Sequence, residues 1–588
     1  MGLSVADVEA ALRALPFINS FEEFKPNKLL ALPRSSLPTY KISASYEENT
    51  WDLAISVPDG FPYDLPRISL LVNPPFAPFG HLNWRGSICY KDTQGLAADI
   101  RDPVNVLKGC IVEALETLKE HSEDSSKKDL HQDFEDYWES LPSDYAPTLC
   151  FFELGSEFKT LTAFEDTKNS RKTRTPNILA IVDEKLNEET LYAPINRIKG
   201  SKQRKIPYIP LADKVEPPPL LSLWTAEDIL EIIKKHAEAS VLERYLDWIE
   251  SEKWSNFFSI IFSHPKPSGE FALWGVRFHR KEKAQHPAKS SSADWCVVPL
   301  HLRNQSPTYL KARGGANTDL SDKKVLLFGC GSVGSYIAMN LAKSGVGEIH
   351  LVDTDILTPE NIHRHALGAS FIDPAQHALK VDALKWEIEL NIPGVKVVPV
   401  KANIRQFIEE IDLDNYDTVI SSTGDFSSEL ALNIHHHESD IRTPVIYAWQ
   451  DGFGIGGHVM QVARPEKKGC LECLYTRSSG FKPHPRTSFI AQGQTISKHV
   501  GGCGGVFTPY SNVDALQTSI LATRAVLGVL NGQRSNTIYS WRGTSEELEA
   551  NGHQASNWYK KAEDKQLQDE HRYIANNCKA CGSDHSVQ

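Results

Sequence analysis

The chain has 588 residues, too many for a single hydrophobic core, and domains of about 150 residues suggest three or four units. With 41% hydrophobic and 23% charged residues it can bury real cores, which excludes a disordered or fibrous chain. Its 63 basic and 75 acidic residues leave a net charge of −12, which argues against a protein held to nucleic acid mainly by phosphate contacts. The first residues, MGLSVADVEAALRALPF, lack a basic segment ahead of an apolar run, and no stretch of about 18 apolar residues occurs. The expectation is a cytoplasmic protein with no membrane and no nucleic-acid partner. Ten cysteines are too sparse for a disulfide scaffold; four stand in the pairs Cys470/Cys473 and Cys578/Cys581, and the other six are isolated.

In chain order, Val5 to Leu15 has helical spacing, and Trp51 to Val57 alternates apolar and polar as a half-solvated strand does. Pro58-Asp59-Gly60 supplies a turn before a strand at Arg67 to Val72, and Val104, Leu107, Ile111, Leu115 and Leu118 share one face of a helix. Residues 1–148 therefore read as an α+β domain. Residues 149–310 read as a mixed connecting domain, punctuated by loop-like segments at Asp166 to Pro176, Gly200 to Pro219 and Arg280 to Asp294, with a helix from about Ala226 to Trp254. From residue 311 strands and helices alternate: Val325 to Phe328, Val333 to Lys343, Ile349 to Val352, then strands at Thr418 to Ser421 and Val445 to Ala448. Buried strands alternating with helices predict a doubly wound, Rossmann-like α/β domain.

Gly329-Cys330-Gly331-Ser332-Val333-Gly334 joins the first of these strands to its helix, where glycines permit close backbone approach and a helix N-terminus faces a phosphate. Asp353 ends the second strand, where a carboxylate can accept from ribose hydroxyls. This pattern alone serves NAD, FAD and ATP alike. Attack of a carboxylate on the ATP α-phosphate needs cations and a metal, and Asn361, Arg364, Lys380 and Asp425 follow. Each C-x-x-C pair can place two thiolates on one tetrahedral Zn2+, act as a redox pair, or be merely buried. Cys503, in Gly501-Gly502-Cys503-Gly504-Gly505 ahead of a helix at Val513 to Val529, is expected on an accessible crossover loop. His435-His436-His437 reads as a solvated helix face, and Cys110 as core.

The segment GCGSVGSYIAMNLAKSGVGEIHLVDTDILTPENIHRHALG resembles the ThiF/MoeB adenylating family and the adenylation domains of ubiquitin-activating enzymes. The resemblance implies ATP and Mg2+ as cofactors and assigns Gly329, Gly331, Gly334, Asp353, Asn361, Arg364 and Lys380 to nucleotide binding, Arg364 and Lys380 also to catalysis, and Asp425 to the metal, although Thr423-Gly424-Asp425-Phe426 departs from the usual T-D-N. It further implies one structural Zn2+ on Cys470, Cys473, Cys578 and Cys581, an acyl-accepting Cys503 ahead of the helix with Gln517, pairing into a homodimer, and a borrowed arginine for which Arg303 and Arg313 are candidates.

A second run, FPYDLPRISLLVNPPFAPFGHLNWRGSICYKD, resembles the ubiquitin-conjugating fold, with Gly86-Ser87-Ile88-Cys89-Tyr90 around a nucleophilic Cys89. His81-Leu82-Asn83 lacks the usual proline, and the resemblance makes Asn83 the amide that steadies the oxyanion. A carboxyl-activating and a conjugating domain in one chain resemble the bacterial ubiquitin-transferase-like proteins of CBASS anti-phage operons. That resemblance implies a CD-NTase as the protein activated at its C-terminus, Cys503 and then Cys89 as carriers, and an amine on an unidentified acceptor. The rival readings are an NAD-dependent oxidoreductase and a non-catalytic adaptor for ubiquitin-like proteins.

Overall fold

The computed structural model describes the chain apart from residues 1–2, 26–34, 74–75, 92–98, 125–126, 167–175, 184–191, 253–255, 281–285, 289–293, 373–377, 440, 464–468, 476–483, 495, 500–505 and 563–588. It divides into two units, Met1–Leu310 and Lys311–Gln588.

In the first unit, α1 (Val5–Arg13) starts at Ser4, whose hydroxyl accepts from the Asp7 N–H while the Asp7 carboxylate accepts from the Ser4 N–H. An antiparallel meander follows: β1 (Ile18–Phe24), β2 (Thr39–Tyr46), β3 (Asn49–Ser56) and β4 (Arg67–Leu70). On β2 the alternate residues Tyr40, Ile42 and Ala44 are buried. Behind them α2 (Pro103–Glu123), begun by an Asp102 cap and Pro103, lays down Leu107, Ile111, Leu115 and Leu118. The short helices α3 (Lys128–Gln132) and α4 (Phe134–Glu139) close this part.

Beyond it lies an eight-stranded mixed sheet of β5 (Thr148–Phe151), β6 (Lys159–Asp166), β7 (Asn177–Asp183), β8 (Lys202–Pro210), β9 (Phe257–Pro265), β10 (Phe271–His279), β11 (Cys296–Leu300) and β12 (Leu302–Asn304), in the order β11-β10-β9-β8-β6-β7-β5-β12. Two sequence expectations fail here. The loop expected at 200–219 holds β8, a central strand whose half from Ile206 to Pro210 is buried between β6 and β9. Its lysines and prolines mimic a linker, but pairing on both sides overrides propensity. The single helix expected near 226–254 is two: after the one-turn α5 (Ala193–Asn196) come α6 (Ala226–His236) and α7 (Ala239–Ser251), with Ala237 extended. The apolar residues Ile229, Ile233, Val241 and Tyr245 keep a four-residue spacing that drifts around a helix of 3.6 residues per turn, and the break restores them to the core. α8 (Pro307–Arg313) spans the boundary of the two units.

The second unit is built on β13 (Lys324–Phe328), β14 (Glu348–Val352), β15 (Lys396–Val400), β16 (Thr418–Ser421), β17 (Val445–Gln450) and β18 (Gly456–Val462). A two-residue pair, β19 (Lys498–His499) and β20 (Val506–Phe507), precedes β21 (Asn536–Arg542). The main sheet runs β15-β14-β13-β16-β17-β18-β21, the first five strands parallel and the last two antiparallel. Val325 and Leu327 face a core shared with α9 (Gly334–Lys343), α10 (Lys380–Asn391) and α13 (Asn512–Leu530). Leu326 and Phe328 face the other, under α11 (Ile404–Glu410) and α12 (Phe426–Glu438). Helices on both faces make the sheet doubly wound. α13 is apolar because it packs on β17 and β18. On α12 the expectation of a solvated histidine face fails at its middle residue. His436 is fully buried with Nε2 on the Thr443 carbonyl at 2.9 Å, and burial pushes it down to about 4.

Candidate functional site

The glycine loop turns at the carboxyl ends of β13 and β16, where the strand order reverses and α/β sheets hold their ligands. Its three glycines answer to different constraints. Gly329 has φ +84°, and a Cβ there would stand 2.9 Å from the Ser422 carbonyl and the Thr423 Cα. A Cβ on Gly334 would stand 1.9 Å from the Gly329 oxygen. Gly331 faces open space, with no atom within 4 Å of such a Cβ. The first and last glycines are thus required by the fold, whereas the middle one leaves a gap a ligand could fill.

Around this loop the hydrogen bonds gather several of the expected residues. The Asp353 carboxylate accepts from the N–H groups of Cys330 at 2.6 Å and Asp355 at 2.8 Å. Lys380, at the start of α10 and 7% exposed, donates from Nζ to Asp355 Oδ2 at 2.8 Å. Asn361 Oδ1 accepts from the Thr358 N–H at 3.0 Å. Arg364 donates from Nη1 to the Thr508 carbonyl at 3.1 Å and lies over the Tyr510 ring at 4.8 Å, so it holds the chain just after segment 500–505. Asp425 is exposed at the N-cap of α12, accepting from the Ser428 N–H at 3.1 Å, beyond the end of β16.

Three groups here escaped the sequence reading. Asp355 links Asp353 to Lys380. His365, directly after Arg364, is buried and accepts from the Leu367 N–H on Nδ1 at 3.1 Å, so its Nε2–H donates to the Cys330 carbonyl at 2.8 Å and clamps the loop. Burial lowers its pKa and keeps the imidazole neutral. Glu429, one turn into α12, is buried; its Oε1 accepts from Ser421 Oγ at 3.2 Å and Thr423 Oγ1 at 3.3 Å. Burial pushes its carboxyl up to about 7. An adjacent acidic residue four positions after Asp425 was the only signal, and acidic residues on helix surfaces are common.

Cys330, in the loop itself, is fully buried and its thiol is pushed well up, so it is no nucleophile. Cys470 and Cys473 bring their sulfurs to 3.9 Å, close to the edge of about 3.8 Å that two ligands at about 2.3 Å make in a tetrahedral zinc site. Cys503 lies outside the described residues, as do Cys578 and Cys581. Arg303 is paired with Glu139 at 2.6 Å in the first unit, whereas Arg313 is exposed at the end of α8.

In the first unit Cys89 is exposed on a short hairpin. The Cys89 N–H donates to the His81 carbonyl at 2.8 Å, the Asn83 N–H donates to the Ser87 carbonyl at 3.0 Å, and Leu82 bridges Ile88. Alternation buries Leu82 and Ile88 and sets His81, Asn83, Ser87 and Cys89 along a cavity of about 810 Å³. Asn83 Oδ1 accepts from the N–H groups of Arg85 at 3.0 Å and Ser87 at 2.9 Å, which fixes the turn and leaves the amide –NH2 as the donor end. Lys91, two residues beyond Cys89, is tied to Glu113 at 2.9 Å. Cys110 is buried, and burial raises its pKa.

Comparison with known proteins finds a match for each of the two regions. Residues 309–557 match the ThiF family, and residues 25–147 match prokaryotic E2 family B. The chain is 24% identical over 493 residues to the ATP-dependent ubiquitin transferase-like protein Cap2 of Pseudomonas aeruginosa, covering 80% of this chain and 83% of that protein. It is 30% identical over 221 residues to Cap2 of Vibrio cholerae, covering 36% of each. It is 27% identical over 172 residues to the sulfur carrier protein ThiS adenylyltransferase of Escherichia coli, covering 29% of this chain and 65% of that protein. These likenesses set aside the nicotinamide and adaptor readings: one chain carries a stretch that matches prokaryotic E2 family B ahead of a stretch that matches the ThiF family, and it is an ATP-dependent enzyme of the adenylating, transferase-like class.

Proposed function

We propose that the chain activates the C-terminal carboxylate of a protein with ATP, passes the acyl group to Cys503 and then to Cys89, and delivers it to an acceptor amine. The observation that carries this reading is the presence in one chain of two sites. One is a glycine loop at a strand-order switch, beside Asp353 and Lys380; the other is an exposed cysteine on a cavity lined by both polar and apolar side chains.

At the loop, the helix N-terminus and backbone N–H groups would hold the phosphates, and Lys380 and Arg364 would offset the charge that builds at the α-phosphate. Asn361 would complete this wall, and the exposed Asp425 would hold Mg2+. Asp353 would take ribose hydroxyls with the lone pairs left over from Cys330 and Asp355. An acyl adenylate followed by a thioester keeps the carboxyl activated until an amine arrives. Asn83 would donate to the oxyanion formed at Cys89.

The spacing of Cys470 and Cys473 suits a structural Zn2+, which we place between them and Cys578 and Cys581. The order of a conjugating-like domain ahead of an adenylating one, which resembles the fusions of CBASS anti-phage operons, supports a CD-NTase as the activated protein, and we take a cytoplasmic homodimer as the working form.

The test is intact mass of the purified chain with ATP, magnesium and Gly-tailed candidate proteins. Cys503→Ala should abolish every thiol-sensitive adduct while ATP–pyrophosphate exchange persists, and Cys89→Ala should trap the adduct on Cys503. Transfer that survives Cys503→Ala would overturn the order of steps.

A further inference from the structure

His81 stands directly opposite Cys89 on the hairpin, and residues paired in this way carry their Cβ atoms about 5 Å apart. Both side chains line the same cavity. His81 has φ +59°, a backbone region a non-glycine residue seldom occupies. Its ring packs on that of His121, with centroids 4.3 Å apart, and His121 Nδ1 lies 3.3 Å from Asp129 Oδ2. His121 comes from the last turn of α2 and Asp129 from the first turn of α3, and neither lines the cavity. They stand behind His81. A Cβ on Gly80 would come within 2.9 Å of Asp129 Cβ and 3.2 Å of His121 Nδ1, so only glycine lets the loop press His81 onto this pair.

Release of an acyl group from Cys89 needs a proton acceptor. An amine attacks the thioester carbonyl carbon, the C–N bond forms, the C–S bond breaks with its electron pair on sulfur, and the surplus proton of the nitrogen must leave. The other ionisable groups at this cavity are Tyr63, Asp64, Arg67, Tyr90, Lys91, Asp133, Asp136 and Tyr137, of which Tyr90 donates its hydroxyl to the Pro66 carbonyl at 2.7 Å. The arginine and lysine are cations, and Tyr137 donates its hydroxyl to the Pro218 carbonyl at 2.6 Å. Among the carboxylates Asp133 is the rival, since burial raises its pKa.

We infer that His81 takes the amine proton and then yields it to the departing Cys89 thiolate, with His121 and Asp129 as positioning residues that hold its ring. A base oriented by a second residue and a carboxylate is a recurring arrangement in acyl transfer. This inference rests on Cys89 being an acyl carrier, as proposed above.

The experiment uses the full chain carrying Cys503→Ser and a synthetic glycine-ended peptide thioester of mercaptoethanesulfonate. Acylation at Cys89 is mapped by peptide mass, the excess probe is removed, and L-lysine is added. Decay of the adduct is then followed from roughly pH 6 to 9, where an imidazole changes its charge. Divided by the fraction of lysine amine that is unprotonated at each pH, the wild-type rate should rise with pH to a plateau. His81→Gln should slow decay about 100-fold near neutrality and remove the inflection. Imidazole in the buffer should restore part of the rate to His81→Ala, which only a folded variant allows. Asp129→Asn should slow decay and Asp129→Glu should restore it, because the carboxylate that holds His121 behind the His81 ring is gone. Wild-type rate and profile in His81→Gln would overturn the inference alone, as would loss of the inflection in Asp133→Asn instead. Failure of Cys89 to accept the acyl group would overturn it together with the assignment of Cys89.

Discussion

Glu429 shows how a buried carboxyl can sense pH beside a nucleotide loop. Its protonated form is favoured in the fold, because burial raises its pKa to about 7. The folded state therefore binds this proton more tightly than the unfolded chain, and the contribution is complete below the ordinary glutamate value and lost as pH rises to about 7. Glu429→Gln keeps an acceptor for Ser421 and Thr423 without the charge. Its thermal midpoint should match wild type near pH 4.5 and exceed it above pH 7 by the equivalent of about 2–3 kcal/mol. Equal midpoints at both pH values would show that Glu429 ionises freely. The cysteines teach the same lesson. Cys89 and Cys330 both neighbour a glycine turn in the sequence, yet one is exposed and the other fully buried. Accessibility, which decides thiolate chemistry, follows from packing rather than from flanking residues.

At the level of elements, the strand-turn-helix from β13 to α9 was legible because apolar strand, glycine spacing and helix periodicity all agree locally. The structure separates glycines the motif treats alike. Gly334→Ala forces a Cβ to within 1.9 Å of backbone and should cost ~3 kcal/mol or more in denaturant unfolding. Gly331→Ala meets open space and should leave stability within about 0.5 kcal/mol, yet reduce ATP–pyrophosphate exchange if phosphates approach that backbone. Unchanged exchange in Gly331→Ala would move the phosphates away from the loop. The α6–α7 break and β8 were misread because a four-residue apolar spacing imitates one helix, and a strand with lysines and prolines imitates a linker.

Across the whole molecule, every residue assigned to the nucleotide lies in the second unit, on segments far apart in sequence. Hydrogen exchange with ATP and magnesium should slow in 329–334, 353–365 and 421–425, and absence of protection there would separate the pocket from the nucleotide. Sequence alone determined the two family likenesses, since Gly329 to Gly334 with the residues that follow, and the run around Gly86 to Cys89, are contiguous patterns. It also gave the sheet class of the second unit, because buried parallel strands read as short apolar runs. Only the tertiary structure decided which side chains meet: Lys380 on Asp355, His365 on Cys330, and His81 on His121, pairs 25, 35 and 40 residues apart. Such pairings depend on how strands and helices are stacked, and burial then sets their protonation, so no periodicity or spacing in the chain could have announced them.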